Sequence, residues 1–67
     1  MTGDIASQIA AHRGGMNVRE VSELTTIARQ TIYAMAKANR IPVVKVGAKL
    51  IFDPARLAAW WRSKEVA

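Results

Sequence analysis

Between Val18 and Asn39 the apolar positions recur at helical spacing, in two registers separated by a break of three residues. The first register puts Val21, Ser22, Leu24 and Thr25 on one face, and Asn17 and Glu20, three apart, form a capping box ahead of it. A helix of about two turns is predicted. The second register begins near Arg29 and directs Ile32, Met35 and Ala36 inward, which leaves Arg29, Gln30, Tyr33, Ala34 and Lys37 outward. Ile27 and Ile32 stand at hydrophobic-staple spacing across the start of that helix. Ala28, at the cap position, has no side-chain acceptor, so this start is weaker by about 1 kcal/mol than a Ser or Asp cap would make it. Asn39 suits the left-handed end of a helix, and Pro42 blocks any continuation.

The flanking segments change pattern. Residues 1–15 hold Ile5 and Ile9 one turn apart, with Asp4 as a possible cap and Gly14-Gly15 as a stop, so they are read as a short helix or a tail. Val43 to Asp53 is rich in β-branched residues and is interrupted by Gly47, which predicts a hairpin. A two-residue loop, Gly47-Ala48, leaves both hairpin faces mixed. A three-residue loop, Gly47-Ala48-Lys49, gathers Val44, Val46, Leu50 and Phe52 on one face, and this register is the expected one. It leaves Lys45 and Ile51 on the outer face and Lys49 at the tip. Asp53-Pro54 then opens a third helix, with a carboxylate cap and Pro at its first position. Leu57 pairs with Trp60 and Trp61 along it; these tryptophans suit either base stacking or the core, and at least one is assigned to the core. Residues from Ser63 to Ala67 are read as a fraying end.

Composition narrows the function classes. Sixty-seven residues are read as one domain with a single small core. There is no Cys, hence no disulfide or thiolate metal site, and no metal or cofactor is expected. His12 is the one histidine; it and Arg13 could touch a phosphate, but neither is assigned a role. No paired carboxylates, His cluster or phosphate-cradling Gly-rich loop occur, and no room for a pocket is expected, so an enzyme with a small-molecule substrate is not. No apolar run suits a signal peptide or a membrane span, and a cytoplasmic, nucleoid-associated protein is expected.

Charge is more telling than its net value of +5. From Leu24 to Phe52 the chain carries Arg29, Lys37, Arg40, Lys45 and Lys49 and no acid. Outside that segment Arg13, Arg19, Arg56, Arg62 and Lys64 are matched by Asp4, Glu20, Glu23, Asp53 and Glu65. The whole excess therefore coincides with a helix-turn-helix, whose second helix suits a DNA major groove, and with a basic-tipped hairpin that suits a wing over adjacent phosphates or the minor groove. The lesser alternative is a hairpin that only covers the core, and both roles can hold at once. Arg29 and Gln30 have the chemistry for bidentate contacts to guanine and adenine, and Tyr33 and Lys37 for the backbone. Ala28 is either a methyl available to a thymine methyl or simply a poor cap.

The segments MNVREVSEL, ARQTIY, NRIPVVKVG and FDPARLAAWW, spanning Met16 to about Trp61, resemble in order and spacing the small winged helix-turn-helix domains of the excisionase group, relatives of the MerR-type DNA-binding domain. The fold expected is mainly α with a small β-hairpin: three short helices plus a wing over residues 16–64, flanked by residues 1–15 and by a tail at 65–67. The resemblance places Arg29, Gln30, Thr31 and Tyr33 on the groove-facing segment and Lys45 and Lys49 on the wing. With Ala28, Lys37 and Arg40 these form the expected DNA-binding set. Thr26 stands where the family usually has Gly, Ala28 where it has a capping Ser, Ala34 where a base is common, and Ile51 where Arg is usual, which suggests contact with a neighbouring copy.

The resemblance implies an excisionase, or recombination directionality factor: several copies on repeated sites in double-stranded DNA, bending it to direct an integrase. The absence of a second domain favours that role over a small phage-type transcription regulator. A different class, a protein-interaction module built on Trp61, Ile51 and the N-terminal segment, is the remaining alternative.

Overall fold

Three of the helices begin in the same way, on a side-chain oxygen that accepts a backbone amide otherwise left without a partner. The computed structural model describes residues 4–65. Helix α1, Ile5–Ala11, starts at Asp4, whose carboxylate accepts from the Ser7 amide at 2.8 Å. Helix α2, Val18–Thr25, starts at Asn17, which accepts from the Glu20 amide at 2.8 Å while Glu20 Oε1 accepts from the Asn17 amide at 3.0 Å. The predicted capping box is complete. Helix α4, Pro54–Ser63, starts at Asp53, which accepts from the Ala55 amide at 3.1 Å. Helix α3, Arg29–Lys37, is the exception: Ala28 caps it with no side-chain hydrogen bond, as its sequence requires.

The turn between α2 and α3 is held by hydroxyls. Thr26 adopts φ 63° and ψ 11°, a left-handed conformation unusual for a β-branched residue. Its neighbours compensate. Buried Thr25 donates from Oγ1 to the Val21 carbonyl at 2.7 Å and accepts from the Ile27 amide at 3.3 Å. Ser22 Oγ donates to the Ile27 carbonyl at 2.7 Å. Ile27 and Ile32 both join the core, as the staple spacing predicts.

After α3 the chain turns through Asn39, at φ 58°, into an antiparallel pair, β1 Val44–Val46 and β2 Lys49–Ile51. Here the expected register is corrected. Val46 pairs with Lys49, Lys45 with Leu50 and Val44 with Ile51, so the loop is the two-residue Gly47-Ala48. Gly47 has φ 59° and Ala48 does not have positive φ, the sign pattern of the type II′ turn that fits hairpin twist and wants Gly first. Turn geometry overrode apolar clustering. Val44 and Val46, expected to face inward with Leu50 and Phe52, are 49% and 56% exposed. Lys45 shares the face of Leu50, opposite to the one expected, and reaches Asn39 Oδ1 with its ammonium at 3.4 Å. A long aliphatic stem lets a lysine occupy such a half-covered position while its head stays wet.

Beyond β2, Phe52 and Met16 exchange both backbone hydrogen bonds, at 2.8 and 2.9 Å, which ties the base of the hairpin to the start of α2. Gly15 lies against this seam so closely that a Cβ there would stand 2.5 Å from Ile51 Cγ2. Ile51 is therefore half-buried beneath the segment before α2, not displayed on an open face as expected.

Phe52, Ile9, Met16, Ile32, Leu57 and Val21 are the largest fully buried side chains, and they come from every helix and from the hairpin base. Segment 1–15 contributes Ile9, because α1 packs on α4. Met35, expected inside with Ile32 and Ala36, is half-buried at the margin. Trp60 and Trp61 are likewise half-buried against the core, Trp60 Nε1 donating to the Arg40 carbonyl at 3.0 Å with the Lys64 ammonium 5.8 Å from the ring centre. Ser63 belongs to α4, its hydroxyl on the Trp60 carbonyl at 2.6 Å; the rest of the expected C-terminal tail beyond Glu65 lies outside the described residues, as do residues 1–3 of the N-terminal segment. The result is a mainly helical winged helix-turn-helix with four helices among the described residues and a two-stranded wing. None of those helices is long and apolar enough to cross a membrane.

Candidate nucleic-acid interface

Burying Ile32 and Ala36 on one side of α3 leaves Arg29, Gln30, Thr31, Tyr33, Ala34 and Lys37 exposed on the other, with Tyr33 52% accessible although it is large and apolar.

The wing stands beside this face. Between them run two open clefts, where no room for a pocket was expected. One, of about 630 Å³, is bounded by Arg19 on α2, Arg29 and Tyr33 on α3, and Lys49 and Leu50 on the wing. The other, of about 380 Å³, is bounded by Tyr33 and Lys37 on α3 and by Lys45, Ala48 and Leu50 on the wing. Tyr33, Ala48 and Leu50 border both, so the clefts form one continuous surface. Five of the nine expected DNA-binding residues, Arg29, Tyr33, Lys37, Lys45 and Lys49, meet along it. Gln30, Thr31 and Ala28 are exposed on or beside α3 but line neither cleft. Arg40 is exposed too, and its carbonyl is engaged by Trp60 on the α4 side, away from both clefts.

The electrostatics follow from the chain. No acid occurs between Leu24 and Phe52, so the cleft at Lys37 and Lys45 has no carboxylate in its lining. The cleft at Arg29 and Lys49 has one, Glu20. Glu20 is held below the usual carboxylate range, first by the hydrogen bond from the Asn17 amide and then by His12. His12 Nε2 lies 3.2 Å from Glu20 Oε2 and its Nδ1 lies 3.3 Å from the Gly14 carbonyl. A residue assigned no role in the sequence therefore contacts the acid that borders the basic surface.

Arg19 was also missed. The charge count sets it among the balanced residues, because Glu20 and Glu23 follow it, yet the fold turns it into the cleft with Arg29 and Lys49. Its place one turn before exposed Glu23 on an amphipathic helix is a signal for exposure only. Nothing local says which cleft an exposed arginine borders.

A family model described as a helix-turn-helix domain matches residues 16–65, the span that contains α2, α3, the wing and α4. No curated protein and no solved structure matches the chain.

Proposed function

The chain belongs to the helix-turn-helix domain family, and on that premise we propose that it is a sequence-specific architectural DNA-binding protein of the excisionase type. The observation that carries the reading is the single basic surface on which α3 and the wing meet around Tyr33, bordered by Arg19, Arg29, Lys37, Lys45 and Lys49. An α-helix fits the major groove of B-DNA, and lysines and arginines beside it release counterions from the phosphates.

In this reading α3 enters the major groove. Arg29 makes a bidentate contact to guanine, and Gln30, one residue on, serves adenine in the same way. Ala28 and Thr31 complete the edge of the helix that meets the bases, while Tyr33 and Lys37 hold backbone. Lys49 and Lys45 place the wing on adjacent phosphates or the narrow groove. Arg40 adds to the long-range field alone. The family match suggests DNA binding; the excisionase role rests on the resemblance of the Met16–Trp61 segments and on the small size of the reading surface. One short helix reads few base pairs, so several copies occupy repeated sites and bend the DNA to set the geometry of an integrase. No chemical step is assigned to the chain, which works in the cytoplasm on nucleoid DNA.

The test is a circular-permutation gel shift with duplexes from the DNA flanking the gene. Stepwise complexes whose mobility depends on site position support repeated binding with bending. A single unbent complex at a promoter assigns the chain to transcription regulation instead.

A further inference from the structure

His12 is held between two groups that can only accept. The Gly14 carbonyl faces Nδ1 at 3.3 Å and the Glu20 carboxylate faces Nε2 at 3.2 Å. A neutral imidazole carries one N–H and one lone pair, whereas the imidazolium carries two N–H groups. Both hydrogen bonds are therefore made together only by the charged ring, and the neutral ring must give one up. The site matters because Glu20 is the one acid lining the cleft between Arg19, Arg29 and Lys49, with its other oxygen fixed by the Asn17 amide. Whatever charge His12 carries is felt where those three bases gather.

We infer that DNA binding by this chain is proton-linked through His12: the imidazolium neutralises Glu20 at the edge of the basic cleft and, in doing so, strengthens the hold on a backbone phosphate there. The inference rests on the DNA-binding reading. The groups facing His12 are Glu20 from α2, Asp53 across the neighbouring cleft at the start of α4, and the adjoining Arg13. Glu20 stays ionised throughout the range in which histidines change charge, about pH 5 to 8, because its own titration is displaced downward. The sign follows. A polyanion favours the protonated ring, so affinity is greatest at low pH and declines as pH rises. One charge beside a phosphate near a protein surface changes affinity about three- to tenfold.

The experiment is an anisotropy titration of the intact chain with its target duplex at constant ionic strength from about pH 5.5 to 8. The wild type is expected to weaken about three- to tenfold over that interval. His12→Gln keeps a donor but cannot charge, and is expected to be flat at the weaker value. Glu20→Gln keeps the capping box and removes the acid, and is expected to bind more tightly than the wild type at the alkaline end of the range. A pH-independent wild type, or an undiminished pH dependence in His12→Gln, overturns the inference while leaving DNA binding intact. Absence of wild-type binding at every pH defeats the DNA-binding reading itself. Independently of DNA, the ¹⁵N–¹H signals of the His12 ring are expected to differ between the wild type and Glu20→Gln, because the partner of Nε2 changes; identical ring signals in the two proteins refute the pair.

Discussion

Replacing Gly15 by Ala places a methyl group where the base of the wing already lies. The new Cβ would stand 2.5 Å from Ile51 Cγ2, about 1.0–1.5 Å inside ordinary carbon–carbon contact at about 3.5–4.0 Å. The branched methyl of Ile51 cannot swing away cheaply, since a β-branched residue is stiff at χ1, and the main chain cannot retreat because Met16 and Phe52 are locked by two hydrogen bonds. Overpacking of this kind costs about 1–3 kcal/mol. Against a total of roughly 3–10 kcal/mol for a chain of this length, that is a large fraction, and it lowers Tm by about 4–8 °C for each kcal/mol. The decisive form is a cycle. Ile51→Ala alone removes half-buried apolar surface and costs about 1–2 kcal/mol. It also removes the methyl that the added Cβ of Gly15→Ala would strike, so the double variant should be more stable than the sum of the two losses by about 1 kcal/mol or more. Urea denaturation of the four proteins measures it. Strict additivity would mean that the segment before α2 does not press on the wing as described.

Ile9→Ala should cost about 2–5 kcal/mol in chemical denaturation, because Ile9 is wholly buried where α1 meets the common core; a frayed tail would give almost nothing. Asp4, held low by the hydroxyl and amide of Ser7, and Glu20, held low by the Asn17 amide, both titrate below their ordinary values in the folded chain. Their contribution to stability is complete above the unfolded carboxylate range, about pH 4.3, and is lost as pH falls through the folded values; Glu20→Gln should flatten the acid limb of a pH–Tm curve. Arg29→Ala should weaken binding by about 1–3 kcal/mol and relax base preference, whereas Lys49→Ala should weaken every duplex alike and reduce the salt slope by about one; matching effects would place Arg29 outside the groove.

Features set by neighbours in sequence were legible. The Asn17–Glu20 capping box, the Asp53-Pro54 helix start, the staple from Ile27 to Ile32 and the bare cap at Ala28 all depend on residues a few positions apart, and all are as expected. The polar, basic and aromatic face of α3 was legible for the same reason. The wing was legible as a hairpin but its register was not, because the register is decided by backbone twist at Gly47-Ala48, and a rule that gathers apolar side chains chose the wrong loop. That error carried Lys45 to the wrong face. Gly15 looked like a helix stop, and its real constraint, the approach of Ile51, is made across 36 positions of chain. Arg19 and His12 escaped for a related reason: charge was counted along the sequence, whereas the cleft collects it from three elements.

The central claim is that the surface shared by α3 and the wing reads double-stranded DNA. Its most direct test is a salt-dependent anisotropy titration of a duplex from the DNA flanking the gene against a scrambled duplex of equal length. The account predicts preference for the flanking duplex and a log–log salt slope of about −3 to −5, from roughly four or five neutralised phosphates. Equal affinity for both duplexes would reduce the surface to a generic electrostatic patch. No binding even at low salt would contradict the account and leave the protein-interaction reading in its place.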